Sequence, residues 1–105
     1  MDGKESDYFT IAGNLSTSKG TVTYNGLTLT QCLKIESVTS IQFTAAQAAT
    51  LKLVFNDEDG VKVKVDGTNY AMENGIVSVS LEAGAHTITK ADVANLYYME
   101  VEYIN

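Results

Sequence analysis

All of the basic side-chain charge on this chain sits on ammonium groups: seven lysines and no arginine, set among thirteen Asp and Glu residues. A lysine is a compact point charge on a flexible stem, suited to meeting one isolated carboxylate rather than gripping it with a planar fork. Lys62 and Lys64 alternate with Val61, Val63 and Val65, and Lys52 alternates with Leu51 and Leu53. Those positions read as the wet side of a sheet, protected against edge pairing. Lys4 belongs to a polar start. Three others stand apart. Lys19 lies just before a strand-like run, and Lys34 shares the outward parity of Thr28 and Thr30. Lys90 closes Thr87-Ile88-Thr89 on the inward parity of Ile88, so its charge should emerge at a rim, where loops and sites gather.

Other chemistry is thinly supplied. Cys32 and His86 are the single cysteine and single histidine. A nucleophilic couple needs the two in hydrogen-bond reach with a third group to orient them, and nothing in the sequence indicates that. His86 shares parity with Ile88 and reads as a satisfied, partly buried histidine. The run Asn56-Asp57-Glu58-Asp59-Gly60 resembles a calcium loop at first glance, but an EF-hand starting at Asn56 or Asp57 needs a bidentate Glu where Gly67 or Thr68 stands. A solvated hairpin loop is the better reading, with no metal and no cofactor expected. Glu100 and Glu102 share one face of a strand, which by itself says nothing about paired-carboxylate catalysis. There are six tyrosines and no tryptophan. Tyr97 and Tyr98 are neighbours in a strand-like run, so one is expected in the core and the other at the rim.

The elements that must position these groups are strands, because the apolar period is two. Leu27, Leu29, Leu33 and Ile35 share one face of a run from 27 to 35. Val61, Val63 and Val65 alternate inward, as do Val77, Val79 and Leu81. Further runs cover 8–11, 20–24, 40–44, 50–55, 85–89 and 96–104, rich in Val, Ile, Thr and Tyr. Asn25-Gly26, Asp59-Gly60, Asp66-Gly67, Asn74-Gly75 and Ala83-Gly84 supply the turns between them. The Ala-rich stretch 44–49 is too short to hold a helix unaided and is expected as a loop or single helical turn. Eight or more short strands at this spacing predict an all-β fold: an antiparallel β-sandwich, jelly-roll-like. Residues 1–7 read as a flexible polar start and 8–105 as one domain, expected to be monomeric.

The 105-residue length suffices for one core without staples. A formal net charge of −6 argues against nucleic acid or an anionic membrane as partner, since both need a positive face. No stretch approaches the about 18 apolar residues of a membrane span. The start lacks the apolar core of a signal peptide, so export is expected to be directed by a larger parent.

Several segments together resemble a known family. They are Tyr8-Phe9-Thr10-Ile11-Ala12-Gly13-Asn14-Leu15, Lys19-Gly20-Thr21-Val22-Thr23-Tyr24-Asn25-Gly26 and Leu33-Lys34-Ile35-Glu36-Ser37. Val63-Lys64-Val65-Asp66-Gly67-Thr68 and Ala83-Gly84-Ala85-His86-Thr87-Ile88-Thr89-Lys90 complete the set. In this order they resemble the pectin-binding carbohydrate-binding modules of family 77, of the kind appended to bacterial pectate lyases. The resemblance implies a secreted, non-catalytic module that holds homogalacturonan near a partner lyase at the plant cell wall. It also implies that lysines meet the uronate carboxylates, at positions matching Lys19, Lys34 and Lys90. Two other readings remain open at this point: a module for a neutral plant polysaccharide using exposed tyrosines, and a structural or adhesive sandwich with no glycan ligand.

Overall fold

The computed structural model describes residues 8–57 and 59–104, so the polar start and Glu58 lie outside the described residues. The expected antiparallel sandwich is what forms. One sheet has the order β1 (Thr10–Ala12), β6 (Ser40–Ala45), β11 (Gly84–Lys90), β8 (Lys62–Val65), β9 (Thr68–Ala71). The other has the order β10 (Ile76–Leu81), β7 (Ala49–Phe55), β12 (Ala94–Tyr103), β5 (Cys32–Ile35), β2 (Asn14–Ser16). A separate hairpin, β3 (Val22–Tyr24) and β4 (Leu27–Leu29), completes the chain. From β5 onward every connection except β8–β9 passes from one sheet to the other. Among the described residues there is no helix, and 46–48 form a turn between β6 and β7.

The core lies between the inner faces, and period-two alternation fills it. Leu33, Ile35, Leu51, Leu53, Phe55, Val77, Val79 and Leu96 come from one sheet; Ile41, Phe43, Val63, Val65 and Ile88 come from the other. Each fully buried aliphatic side chain of this size stabilises the fold by about 1.5–3 kcal/mol relative to exposure. The expectation of one long run from 27 to 35 is corrected. Leu33 and Ile35 are buried, but Leu27 is 44% exposed, because the strand breaks at Thr30-Gln31 and β4 pairs with β3 instead of joining a sheet.

Turn chemistry fixes the register. Asn25, Asp66 and Asn74 each adopt positive φ, followed by Gly26, Gly67 and Gly75, also positive. At Gly75 space matters as much as torsion. Its carbonyl accepts the Phe55 N–H at 2.7 Å, and a Cβ there would stand 2.5 Å from the Phe55 carbonyl oxygen. Only glycine fits where φ is +75° and backbone passes that close.

Within β12 the register against β7 shifts between Leu96 and Tyr98. One tyrosine buried and one at the rim is what forms: Tyr97 is fully enclosed and Tyr98 half-buried, and the bulge falls at this point. An extra residue in the strand lets neighbours share a side. Leu96, Met99 and Val101 pack with the core, whereas Tyr97 is fully buried outside that cluster and Tyr98 sits opposite the outward Val54. Tyr97 is buried on the outer side, beneath the segment leading into the β3–β4 hairpin.

Candidate functional site

The outer face of the β5–β12 sheet carries the densest set of polar side chains tied together across distant sequence. Lys34 stands directly opposite Asn95 on β12 and Asn14 on β2. Asn95 donates through its amide to Asn56 Oδ1 at 3.2 Å, and Asn56 donates to the Lys19 carbonyl at 2.7 Å. The Tyr97 hydroxyl donates to the Gly20 carbonyl at 2.8 Å. Two adjacent carbonyls of the segment before β3 are thus pinned to the sheet, and Lys19 is carried along with them. Its backbone is thereby held on this side of the molecule.

The Asn56–Asn95 relay therefore runs from the Lys19 carbonyl to the residue paired with Lys34. Lys90 reaches the same end of the sandwich by a different route. It ends β11 opposite Val63, half-buried, and three residues later the chain enters β12 at Ala94, opposite Ile35. Lys90 thus belongs to the other sheet from Lys34. Among the described residues neither Lys19 nor Lys90 is ion-paired, whereas Lys34 Nζ lies 3.1 Å from Glu36 Oε1.

Asn56, Asn95 and Tyr97 were not singled out by the sequence as partners of these lysines. The acidic run beginning at Asn56 proves to be an anchoring loop. Asp57 accepts the Asn95 N–H at 2.8 Å, and Asp59 accepts the Asn74 N–H at 2.8 Å. The signal available in the sequence was an amide residue directly after the strong strand ending at Phe55, a position that can serve a neighbouring segment.

The remaining chemical candidates are occupied by structure. His86 lies between two acceptors, Asp66 Oδ2 at 2.6 Å from Nδ1 and the Glu82 carbonyl at 2.7 Å from Nε2. Burial opposes its charge, but those hydrogen bonds and the Asp66 and Glu82 charges outweigh it and raise its pKa above the ordinary 6.5. Burial pushes the Cys32 thiol up, beside the Tyr97 hydroxyl and on the other sheet from His86. Burial likewise raises Tyr97, which is fully enclosed and has no ring face to offer a sugar. Tyr98 is half-buried, its ring centroid 5.5 Å from that of Tyr24. Among the described residues no group of three His, Cys, Asp or Glu side chains is gathered as a metal site.

Comparison with known proteins adds to this geometry. The family model described as carbohydrate binding module 77 matches residues 1–99. A solved structure from work on glycan recognition by the Ruminococcus flavefaciens cellulosome is 59% identical, with 98% of this chain and 87% of that chain covered and a TM-score of 0.93. Among curated proteins the chain has no match.

Proposed function

This chain belongs to the carbohydrate binding module 77 family, a non-catalytic class, and we propose on that premise that its ligand is homogalacturonan. Lys19, Lys34 and Lys90 would each meet a uronate carboxylate, and the module would tether a pectin-degrading enzyme, a pectate lyase in the first instance, to the plant cell wall outside the cell. The observation that supports this reading most is the tie between the Lys19 backbone and the strand beside Lys34, through Asn56 and Asn95, in a chain of this family.

The chemistry sets the strength. Galacturonate repeats one carboxylate per sugar along an extended chain, so point charges on mobile stems can each find one. Exposed ion pairs contribute about 0.2–1 kcal/mol each. With accompanying hydrogen bonds and ring packing, a total of roughly 4–7 kcal/mol corresponds to dissociation constants from about millimolar to several micromolar. Weak contact suffices for a tethered module, because linkage raises the effective concentration of its partner at the surface.

The test is an affinity gel and calorimetry with de-esterified and methyl-esterified pectin. De-esterified polymer should retard the protein more strongly, because esterification removes the negative partner. Lys19→Ala, Lys34→Ala and Lys90→Ala should each weaken binding by up to about fivefold. Equal retardation by the two polymers, together with unaffected alanine variants, would refute the uronate reading.

A further inference from the structure

Among the described residues, Lys34 is the one of the three lysines met by an acid of the chain itself, and the backbone carrying that acid is fixed by a turn. Glu36 uses one carboxylate oxygen for Lys34 Nζ at 3.1 Å and the other for the Asn14 amide at 3.2 Å. The backbones of Lys34 and Glu36 are fastened to one side chain. The Thr39 hydroxyl donates to the Lys34 carbonyl at 2.6 Å and accepts the Glu36 N–H at 3.0 Å. The Thr39 N–H returns to the Glu36 carbonyl at 3.0 Å, and Thr39 is buried, 3% exposed. Gly13 packs on Thr39 so closely that a Cβ there would lie 3.0 Å from its hydroxyl, which seats Asn14 beside the carboxylate. The Thr39 bonds close the turn from β5 to β6 and so fix the backbone from which Glu36 projects, while its carboxylate itself meets Lys34 and Asn14.

We propose that Glu36 is a built-in competitor for Lys34: its carboxylate occupies the ammonium as a uronate would and must be displaced before ligand is held there. This rests on the uronate reading above and deepens it. Exchanging one carboxylate for another at Lys34 brings no net gain in charge pairing, so a lone uronate has little advantage over Glu36. A longer chain already held at Lys19 and Lys90 presents its next carboxylate at high effective concentration and wins the exchange. Glu36 thereby acts as a length filter, admitting polymer over short acidic fragments.

The experiment is calorimetry on the intact domain with a short oligogalacturonide and with de-esterified polygalacturonate. Glu36→Gln keeps the shape and the Asn14 contact while removing the charge. It should tighten the short ligand by about two- to fivefold, the span an exposed pair allows, and the polymer by less. In a Lys34→Ala background the gain should vanish. A Glu36→Gln variant that binds no better than the parent overturns the competitor role while leaving the ligand reading intact. A gain that persists without Lys34 also overturns it, since the effect would then come from overall charge. Failure of both parent and Glu36→Gln to bind either ligand would overturn the two proposals together.

Discussion

At the scale of the residue, the sequence exposed the charges and hid their fasteners. Lys19, Lys34 and Lys90 stood apart by type and strand parity, while a role for them in meeting carboxylates came from the family resemblance. Asn56 and Asn95 could not, because an amide signals nothing until the carbonyl it serves is known, and Lys19 lies 37 residues from Asn56. His86 was legible as a satisfied histidine; its partners, Asp66 and the Glu82 carbonyl, came only with the fold. Both partners are acceptors, so both ring nitrogens must carry hydrogens and the folded state favours the imidazolium. A group whose folded pKa is raised stabilises the protein fully below its unfolded value, near 6.5, and that contribution fades as pH climbs through the folded value. Thermal midpoints measured across that window should therefore fall with rising pH, and His86→Gln should flatten the decline. A wild-type profile no steeper than that of the variant would contradict the assignment.

Among the elements, alternation was easy to read and pairing was not. Val63 and Val65 or Val77 and Val79 announce their faces, and the Asn-Gly and Asp-Gly turns fall where φ is positive. The short β2 and β9 escaped notice because three or four residues with little apolar character carry no period. The β12 bulge escaped because register belongs to two strands at once, and β7 sets it. That bulge has a direct structural use: it buries Tyr97 on the outer side, where its hydroxyl reaches Gly20. Tyr97→Phe should cost about 1 kcal/mol, the value of a typical internal hydrogen bond. For a domain of this size that is a fall of about 4–8 °C in Tm. Affinity for de-esterified pectin should drop with it, because the segment bearing Lys19 loses one of its two pins. Scanning calorimetry and an affinity gel on the same preparation check both halves, and unchanged affinity would mean that Asn56 alone positions Lys19.

For the whole molecule, a formal charge of −6 runs against the proposed polyanionic ligand. The long-range field would oppose approach, so on the uronate proposal Lys19, Lys34 and Lys90 must act at contact. Contact pairs of this exposed kind are screened: the Debye length falls from about 10 Å at 0.1 M salt to about 3 Å at 1 M. Affinity for de-esterified pectin should decline across that range in titrations at fixed pH, and a constant affinity would remove charge from the explanation. The proposed contact surface depends on a chain that crosses between its two sheets at almost every connection. Strands paired across such long stretches of sequence gain little until most of the chain is present, which makes for slow and strongly cooperative assembly. A truncated copy would thus present no partial binding surface, and carbohydrate binding begins only when the entire domain has closed.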